Sequence, residues 1–447
     1  MMLPPFSSVK DFLLKHISSS SPFLLALSGG SDSLFLFYAL LELRQDHGVL
    51  FHVAHVDHGW RQESQEEAKC LEELACQHDV PFHLKILNPL LLKGNLEAAS
   101  REERYRFFFH LMNQLEFQAL LTGHHQDDLA ETVFKRLFEG AHWSRWAPIK
   151  SERLIKGARI LRPLLTMRKN EIKQALNKRG IHFFADPTNY ETKYLRARLR
   201  ETIFPRLNQE FGKEIQKSLI KISQEAEELI SFFEERLNPL IDLSIRGPFG
   251  LMLDLKKQLP HSLVEIKQLL RLLCDREGFF LSREVIEQGA LALQLGRANQ
   301  LFLTGFHRLY IDRKVIFILP PSFVPFEIEP LALKYAKGTL GNWVFTMKQE
   351  IKQSQEVGTN WRNGWLGHLK GYLPIGDYTI GFRRDLKNAP LKKWWNEAKT
   401  PAFLYPYFPL IWQGDEIYHE FLTGKSFFSI NEGELCLKIE LMYILQD

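Results

Sequence analysis

Cysteine is scarce in this chain of 447 residues: there are four, at 70, 76, 274 and 436, with no CxxC pair among them. That scarcity argues against a disulfide framework or a zinc ribbon and leaves buried structural thiols as the plain reading. A long hydrophobic run is missing too. The longest apolar stretch, 34–41, is followed at once by Glu42 and falls far short of the ~20 residues needed to cross a bilayer. The first residues, MMLPPFSSVKDFLLKH, lack a basic start leading into a long apolar run and a small-residue cleavage site. Neither a membrane span nor a secretory signal is expected, and the expected location is cytoplasmic. Neither sign of charge dominates, with 57 Lys and Arg against 53 Asp and Glu and a net charge of +4. The total therefore excludes no partner, since clustered Lys and Arg would still serve a nucleic acid. Hydrophobic residues at 45% and charged residues at 25% match soluble globular proteins, which excludes disorder and fibrous architecture.

A chain of this length is too long for one hydrophobic core. From residue 23 to about 123, short apolar runs (23–27, 49–56, 82–87, 119–122) alternate with longer amphipathic ones (34–43, 63–77, 96–115). That alternation marks βαβ units. The expected fold class is α/β, a doubly wound parallel sheet at 1–208, followed by a mainly helical middle domain at 209–320. A Pro-rich joint at 320–330 then leads to a small mixed α/β C-terminal domain at 330–447.

Between the first strand and the first helix of the sheet stand Ser28, Gly29, Gly30, Ser31, Asp32 and Ser33. Glycines let the backbone approach a ligand closely, and loop N–H groups with a helix N-terminus make an anion site. The loop lacks the Gly-Lys-Ser/Thr ending that serves β- and γ-phosphates, so γ-phosphoryl transfer is not the natural reading. A plain Gly-Gly turn with Ser and Asp as caps is the structural alternative.

Further polar clusters follow the later strands. His55, Val56, Asp57, His58, Gly59, Trp60 and Arg61 fall where a parallel sheet presents ligand-binding groups, able to contact ribose, base and phosphate. The run TGHHQDDLAET carries His124, Asp127, Asp128 and Glu131, whose carboxylates gather on neighbouring faces of one turn. Such oxygens suit Mg²⁺ held jointly with phosphates, and the adjacent histidines do not make the i,i+4 pair of a zinc HExxH site. The helical run NLEAASREERY sets Glu97, Arg101 and Arg104 on one face. Beyond it, DPTN at 186–189 precedes Arg196, Arg198 and Arg200 at alternate positions, suited to phosphate or RNA backbone. Near the C-terminus, Arg383, Arg384, Lys392 and Lys393 flank Trp394 and Trp395, a mixture that can hold RNA phosphates and stack on exposed bases.

The hexamer SGGSDS looks like the PP-loop of ATP-pyrophosphatases. Together with HVDHGWR, NLEAASREERY, TGHHQDDLAET, RPLL at 162–165, DPTN and RARLR, it resembles the tRNA(Ile)-lysidine synthetase family in order and spacing over residues ~20 to 205. The C-terminal GFRRD, PLKKWW and FPL resemble that family's last domain more loosely. The resemblance implies an enzyme that uses ATP and Mg²⁺ to adenylate C2 of the wobble cytidine in the CAU anticodon of an isoleucine tRNA. The amine of free L-lysine then displaces AMP. It also implies that Ser28 to Ser33 hold phosphates and that Asp32 helps place the metal with Asp127 and Asp128. Asp128, Glu131 and Arg104 would lie around the lysine and the activated base, and Arg196 near the adenylated intermediate. The middle and last domains would contact the tRNA, and the oligomeric state, a dimer included, stays open. Where the family has asparagine this chain has Ala197, so a role resting on that side chain is absent. Two other readings stand beside this one: a PP-loop tRNA thiolating enzyme, which usually needs paired cysteines, and a nonenzymatic tRNA-binding protein.

Overall fold

The computed structural model describes residues 4–444 except 18–19, 60–62, 90–93, 95, 148, 156, 185–193, 306, 322–327, 334–335, 354–359 and 383–388. The chain divides into two compact units, 1–230 and 231–447.

The first unit begins with α1 (Pro4–His16), β1 (Phe23–Ala26), α2 (Ser31–His47), β2 (Phe51–Asp57), α3 (Glu63–Gln77), β3 (Phe82–Ile86) and α4 (Leu96–Gln114). It continues through β4 (Ala119–Leu121), α5 (Gln126–Phe138), β5 (Glu152–Ile155), β6 (Ala158–Leu161) and α6 (Lys169–Asn177). A short α7 (Leu195–Arg198), a π-turn at Leu199–Ile203 and α8 (Phe204–Phe211) lead into the long α9 (Ile215–Ile241), which runs through the division between the units. One six-stranded sheet has the order β3-β2-β1-β4-β6-β5, parallel except for β5.

The alternation of side chains along β1 explains its burial. Phe23 and Leu25 pack on one face against Phe35, Leu36 and Leu40 of α2 and Phe6, Val9 and Leu13 of α1. Leu24 faces the other way, against Phe108 and Met112 of α4 and Leu120 and Ile160. A strand covered on both faces has no polar side to show, hence the unbroken run Phe-Leu-Leu. Each such side chain contributes roughly 1.5–3 kcal/mol on burial. Helix α2 is apolar nearly all round because α1, α6 and the sheet enclose it, and it stops at Gly48, whose φ of 67° suits glycine.

The second unit is richer in strands than its sequence suggests. Antiparallel strands Ile245–Gly247, Gly250–Asp254, Val315–Leu319, His307–Asp312 and Gln300–Thr304 form a five-stranded sheet in that order, with helices Leu263–Arg276 and Arg283–Leu295. The first two strands are short and joined by a tight turn at Gly250 (φ 126°), which leaves too little periodicity to read. Two four-stranded antiparallel sheets follow. Residues from both sides of the Pro-rich joint share one core: the Phe249 ring lies 5.9 Å from Trp365, 5.6 Å from Phe408 and 4.9 Å from Tyr443. That shared core is why contacts divide the chain in two where composition suggests three. Among the described residues no helix is long and apolar enough to cross a membrane.

Candidate active site

From β1 the chain moves outward to β2 and β3, then returns to the other side of β1 through β4 and β6. The strand order therefore reverses between β1 and β4, and the loops after their carboxyl ends part to leave a crevice. Two glycines set how closely those loops approach. A Cβ on Gly29 (φ 79°) would lie 2.5 Å from Cδ2 of Phe184, and a Cβ on Gly123 would lie 3.0 Å from Cβ of Asp32 and 3.3 Å from the Ser33 nitrogen. The β1 loop folds onto its own serine: Ser33 Oγ accepts from the Ser28 N–H at 3.1 Å and lies 3.1 Å from both Ser28 Oγ and the Gly30 carbonyl. Gly30 caps α2 without a side chain, so the first amides of that helix stay available to an anion.

The crevice opens into a cavity of about 430 Å³. Ser28, Asp32 and Ser33 form one wall, and His55, Asp57 and His58 at the end of β2 form the next. Arg101, Arg104 and Tyr105 of α4 reach in from the far side, as do His124, Asp128 and Arg196. Residues singled out in the sequence thus share one cavity, among them Ser28, Asp32, Ser33, His55, Asp57, His58, Arg101, Arg104, His124, Asp128 and Arg196.

Both imidazoles that line it deeply are kept neutral. His55 Nδ1 donates to the Leu27 carbonyl at 2.8 Å, which leaves Nε2 as an acceptor, and burial pushes its pKa down. Burial pushes His124 down to about 4, with the Arg162, Arg101 and Arg196 charges adding and Asp128 opposing; its Nδ1 lies 3.0 Å from Thr122 Oγ1. Asp57 is 2% exposed. Its Oδ1 accepts from the Gly59 N–H at 2.8 Å, while Oδ2 meets no hydrogen-bond donor among the described residues.

The acidic end is a chain of charges. His125 caps α5; its N–H donates to Asp128 Oδ2 at 3.1 Å, and its Nε2 lies 3.5 Å from that oxygen and 4.0 Å from Asp32 Oδ2. Burial pushes the Asp128 carboxyl up, but His125, its N–H, His124 and Arg200 outweigh that and hold it below the usual range. Glu131, 2% exposed, is raised by burial against the pull of Arg200. Arg200 grips both acids: Nε pairs with Glu131 Oε1, and a terminal nitrogen donates to Glu131 Oε2 and Asp128 Oδ1, each at 3.1 Å. Arg196 Nε stands 3.9 Å from Glu131 Oε2.

Other expected residues lie apart from the cavity wall. Ser31 is buried beside Asp32, its Oγ 3.5 Å from Oδ1. Gly59 (φ 65°) turns the chain where a Cβ would meet the Leu87 carbonyl at 2.7 Å. Asp127 is turned to α6, accepting from the Lys169 N–H at 2.8 Å. Arg200, expected on RNA, is occupied by Glu131 and Asp128, whereas Arg198 is exposed. Lys392 and Lys393 are exposed on the helix Ala389–Glu397 of the second unit, where Trp395 is buried and its Nε1 donates to Glu420 Oε2 at 2.9 Å. Arg61, Arg383, Arg384 and the 186–189 segment lie outside the described residues.

Lys169 and Arg162 were given no role in the sequence reading. Lys169 forms an ion pair with Asp32 across 137 positions, and no local signal marks it. Asp57, read in sequence with its neighbours as able to contact ribose, base or phosphate, lines the cavity. Arg162, 7% exposed in the RPLL run, donates to the Lys150 carbonyl at 2.7 Å and stands behind His124.

Residues 6–207 match the family model of the PP-loop domain. The chain is 41% identical over 449 residues to a tRNA(Ile)-lysidine synthase of Protochlamydia amoebophila (strain UWE25), covering 98% of this chain and 97% of that protein. It is also 41% identical over 230 residues to a tRNA(Ile)-lysidine synthase of Chlamydia pneumoniae, covering 51% of this chain and 71% of that one. Among solved structures, U34-tRNA thiolase NcsA of Methanococcus maripaludis matches at 17% identity over 50% of this chain and 78% of that one, with a TM-score of 0.41, a likeness too slight to carry an argument. With a PP-loop at the switch point of the sheet and a relative matched almost end to end, the chain belongs to the tRNA(Ile)-lysidine synthase family of PP-loop proteins.

Proposed function

We propose that this chain joins the amine of free lysine to C2 of the wobble cytidine in the CAU anticodon of an isoleucine tRNA, consuming ATP. The observation that carries the reading is the shared cavity, in which an anion-binding loop, two neutral imidazoles, arginines and a carboxylate converge within about 430 Å³. That combination suits a nucleotide at one end and a cation at the other. Ser28, Ser33 and the first amides of α2 hold the two departing phosphates. His55 Nε2 and Asp57 Oδ2 are acceptors placed for base and ribose. Arg104 and Arg196 stabilise charge on the α-phosphate while cytidine O2 attacks it and pyrophosphate leaves. The lysine amine, protonated in water, gives up its proton before it attacks C2 and expels AMP. Asp128, charged and on the cavity wall, is the partner for that cation and its proton. Glu131 acts one step behind, as a positioning residue through Arg200 and Arg196.

The donor set fits Mg²⁺ only in company. Asp32 and Asp128 line the cavity on either side of His125 Nε2, and among the described residues no group of three or more His, Cys, Asp or Glu is arranged to hold an ion alone. One or two carboxylates plus substrate phosphates is how Mg²⁺ is commonly held, and the ion would neutralise charge on the leaving pyrophosphate. A thiolating activity has no support here, since Cys70 and Cys76 on α3 are exposed and absent from the cavity wall.

The test is incubation with an unmodified isoleucine tRNA transcript bearing CAU, ATP, Mg²⁺ and labelled lysine. The expected result is label on the wobble nucleotide with matching release of pyrophosphate and AMP. Pyrophosphate release that ignores lysine, or no release at all, overturns the reading.

A further inference from the structure

Positive charge does not stop at the cavity. Arg162 donates to the Lys150 carbonyl at 2.7 Å, and its own N–H donates to the Ser151 carbonyl at 2.8 Å. These bonds pin the segment that enters β5, whose Arg153 is exposed and sits opposite Ile160. At the far end of α5, Arg136 donates to the Arg145 carbonyl at 2.5 Å and its own carbonyl accepts from the Ala141 N–H at 2.9 Å. The turn after the helix is thereby folded back on it, with Arg145 exposed.

The guanidinium groups sense one another. Arg136 is lowered by burial and then by the charges of Arg145 and Arg153, with Glu139 opposing. Arg162 is lowered by burial and also by Arg153 and by Arg101 on the cavity wall. Acids along this stretch are already engaged: Glu152 with Arg159 at 2.5 Å and His16 at 3.6 Å, Glu139 with Lys135 at 3.7 Å. The end of α5 carries Phe138, 78% exposed with its ring 4.4 Å from Phe134, and the turn after it carries the half-buried Trp143. Exposed aromatic rings and guanidinium groups on one unit are suited to unstacked bases and their phosphates.

We propose that Arg153, Arg136 and Arg145, with Phe138 at the end of α5 and Trp143 in the turn after it, form a stripe that holds the single-stranded RNA loop that delivers its base to the cavity. The proposal rests on the function proposed above and adds where the RNA lies on the catalytic unit. Its geometry is direct. Helix α5 opens with Asp128 and Glu131 and ends at Phe138, so at 1.5 Å per residue the exposed ring sits about 10 Å beyond Glu131, within reach of a loop whose target base is in the cavity.

The test uses the full chain and an unmodified isoleucine tRNA transcript with a CAU anticodon, with affinity measured by filter binding across a salt series. An Arg145→Gln/Arg153→Gln double variant should bind more weakly at every salt concentration and lose about 1.5–2 from the slope of log affinity against log salt. Phe138→Ser and Trp143→Ala should each lose about tenfold in affinity with the slope unchanged. Trp143→Phe should recover most of its loss, which separates stacking from misfolding. Affinity for ATP measured without RNA should stay as in the parent chain. Parent-like affinity and slope in the arginine and Phe138 variants, in an enzyme that still transfers lysine, would overturn the stripe alone. A parent chain that neither binds the transcript nor transfers lysine would overturn the functional reading itself.

Discussion

Arg200 holds the most consequential contacts in the catalytic unit, and its removal has a calculable effect. In Arg200→Ala, Glu131 loses two hydrogen bonds and keeps, among the described residues, Arg196, 3.9 Å away on a side chain that is 57% exposed. Stripping the partner from a buried carboxylate costs about 3–5 kcal/mol where both groups are fully enclosed. Arg200 is 32% exposed, so water restores part of that and about 2–3 kcal/mol is expected. At this unit's size that lowers the melting temperature by about 4–12 °C. The pH dependence is the sharper test. Burial already raises the folded pKa of Glu131, and Arg200 opposes the rise. A carboxyl raised in the fold contributes stability that is complete below its unfolded value and lost as pH climbs through its folded value. Removing Arg200 raises the folded value further, so the variant's deficit should be largest above that folded value and shrink as pH falls through it and Glu131 takes up a proton. Calorimetry of the full chain, following the transition that ATP shifts, measures both. Adding Glu131→Gln to Arg200→Ala should return more than half of the lost stability and none of the lysine transfer. A deficit that does not change with pH would refute the reasoning.

Gly123→Ala places a Cβ against Asp32 and the Ser33 nitrogen, so it should displace the phosphate loop, cost about 1–3 kcal/mol in stability and abolish measurable ATP binding by titration calorimetry. Asp57→Asn keeps the acceptor for the Gly59 N–H but loses the charge at Oδ2; ATP should then bind more weakly, and 2′-deoxy-ATP should compete about as well as ATP where in the parent it does not. His124, held near 4 by burial, should show no NMR titration of its ring between about pH 5 and pH 8, and an ordinary midpoint there would refute its assigned burial. Cys70→Ser/Cys76→Ser should leave lysine transfer within about twofold of the parent, because neither thiol lines the cavity.

How much of this was legible in sequence follows the range of each contact. The strands around 23–27, 49–56, 82–87 and 119–122 and the helix 63–77 lie within a residue or two of their observed bounds, because periodicity and glycine stops act locally. The phosphate loop was legible for the same reason: its bonds span five residues. Asp127 was grouped with Asp128 and Glu131, but on a helix adjacent residues diverge by about 100°, so one carboxylate faces the cavity and its neighbour caps α6. The three arginines at alternate positions read as suited to phosphate or RNA backbone. The chain there is helical and widens into a π-turn, so Arg196 and Arg200 both pair with Glu131 while Arg198 is exposed. Ala197 between them is buried. The amine of Lys169 pairs with Asp32, the one acid in the loop proposed to hold phosphates, so phosphates bound there would compete with Asp32 for that lysine. Lys169→Ala should therefore weaken the binding of pyrophosphate alone, and unchanged pyrophosphate affinity would show that the pair only holds α6 in place.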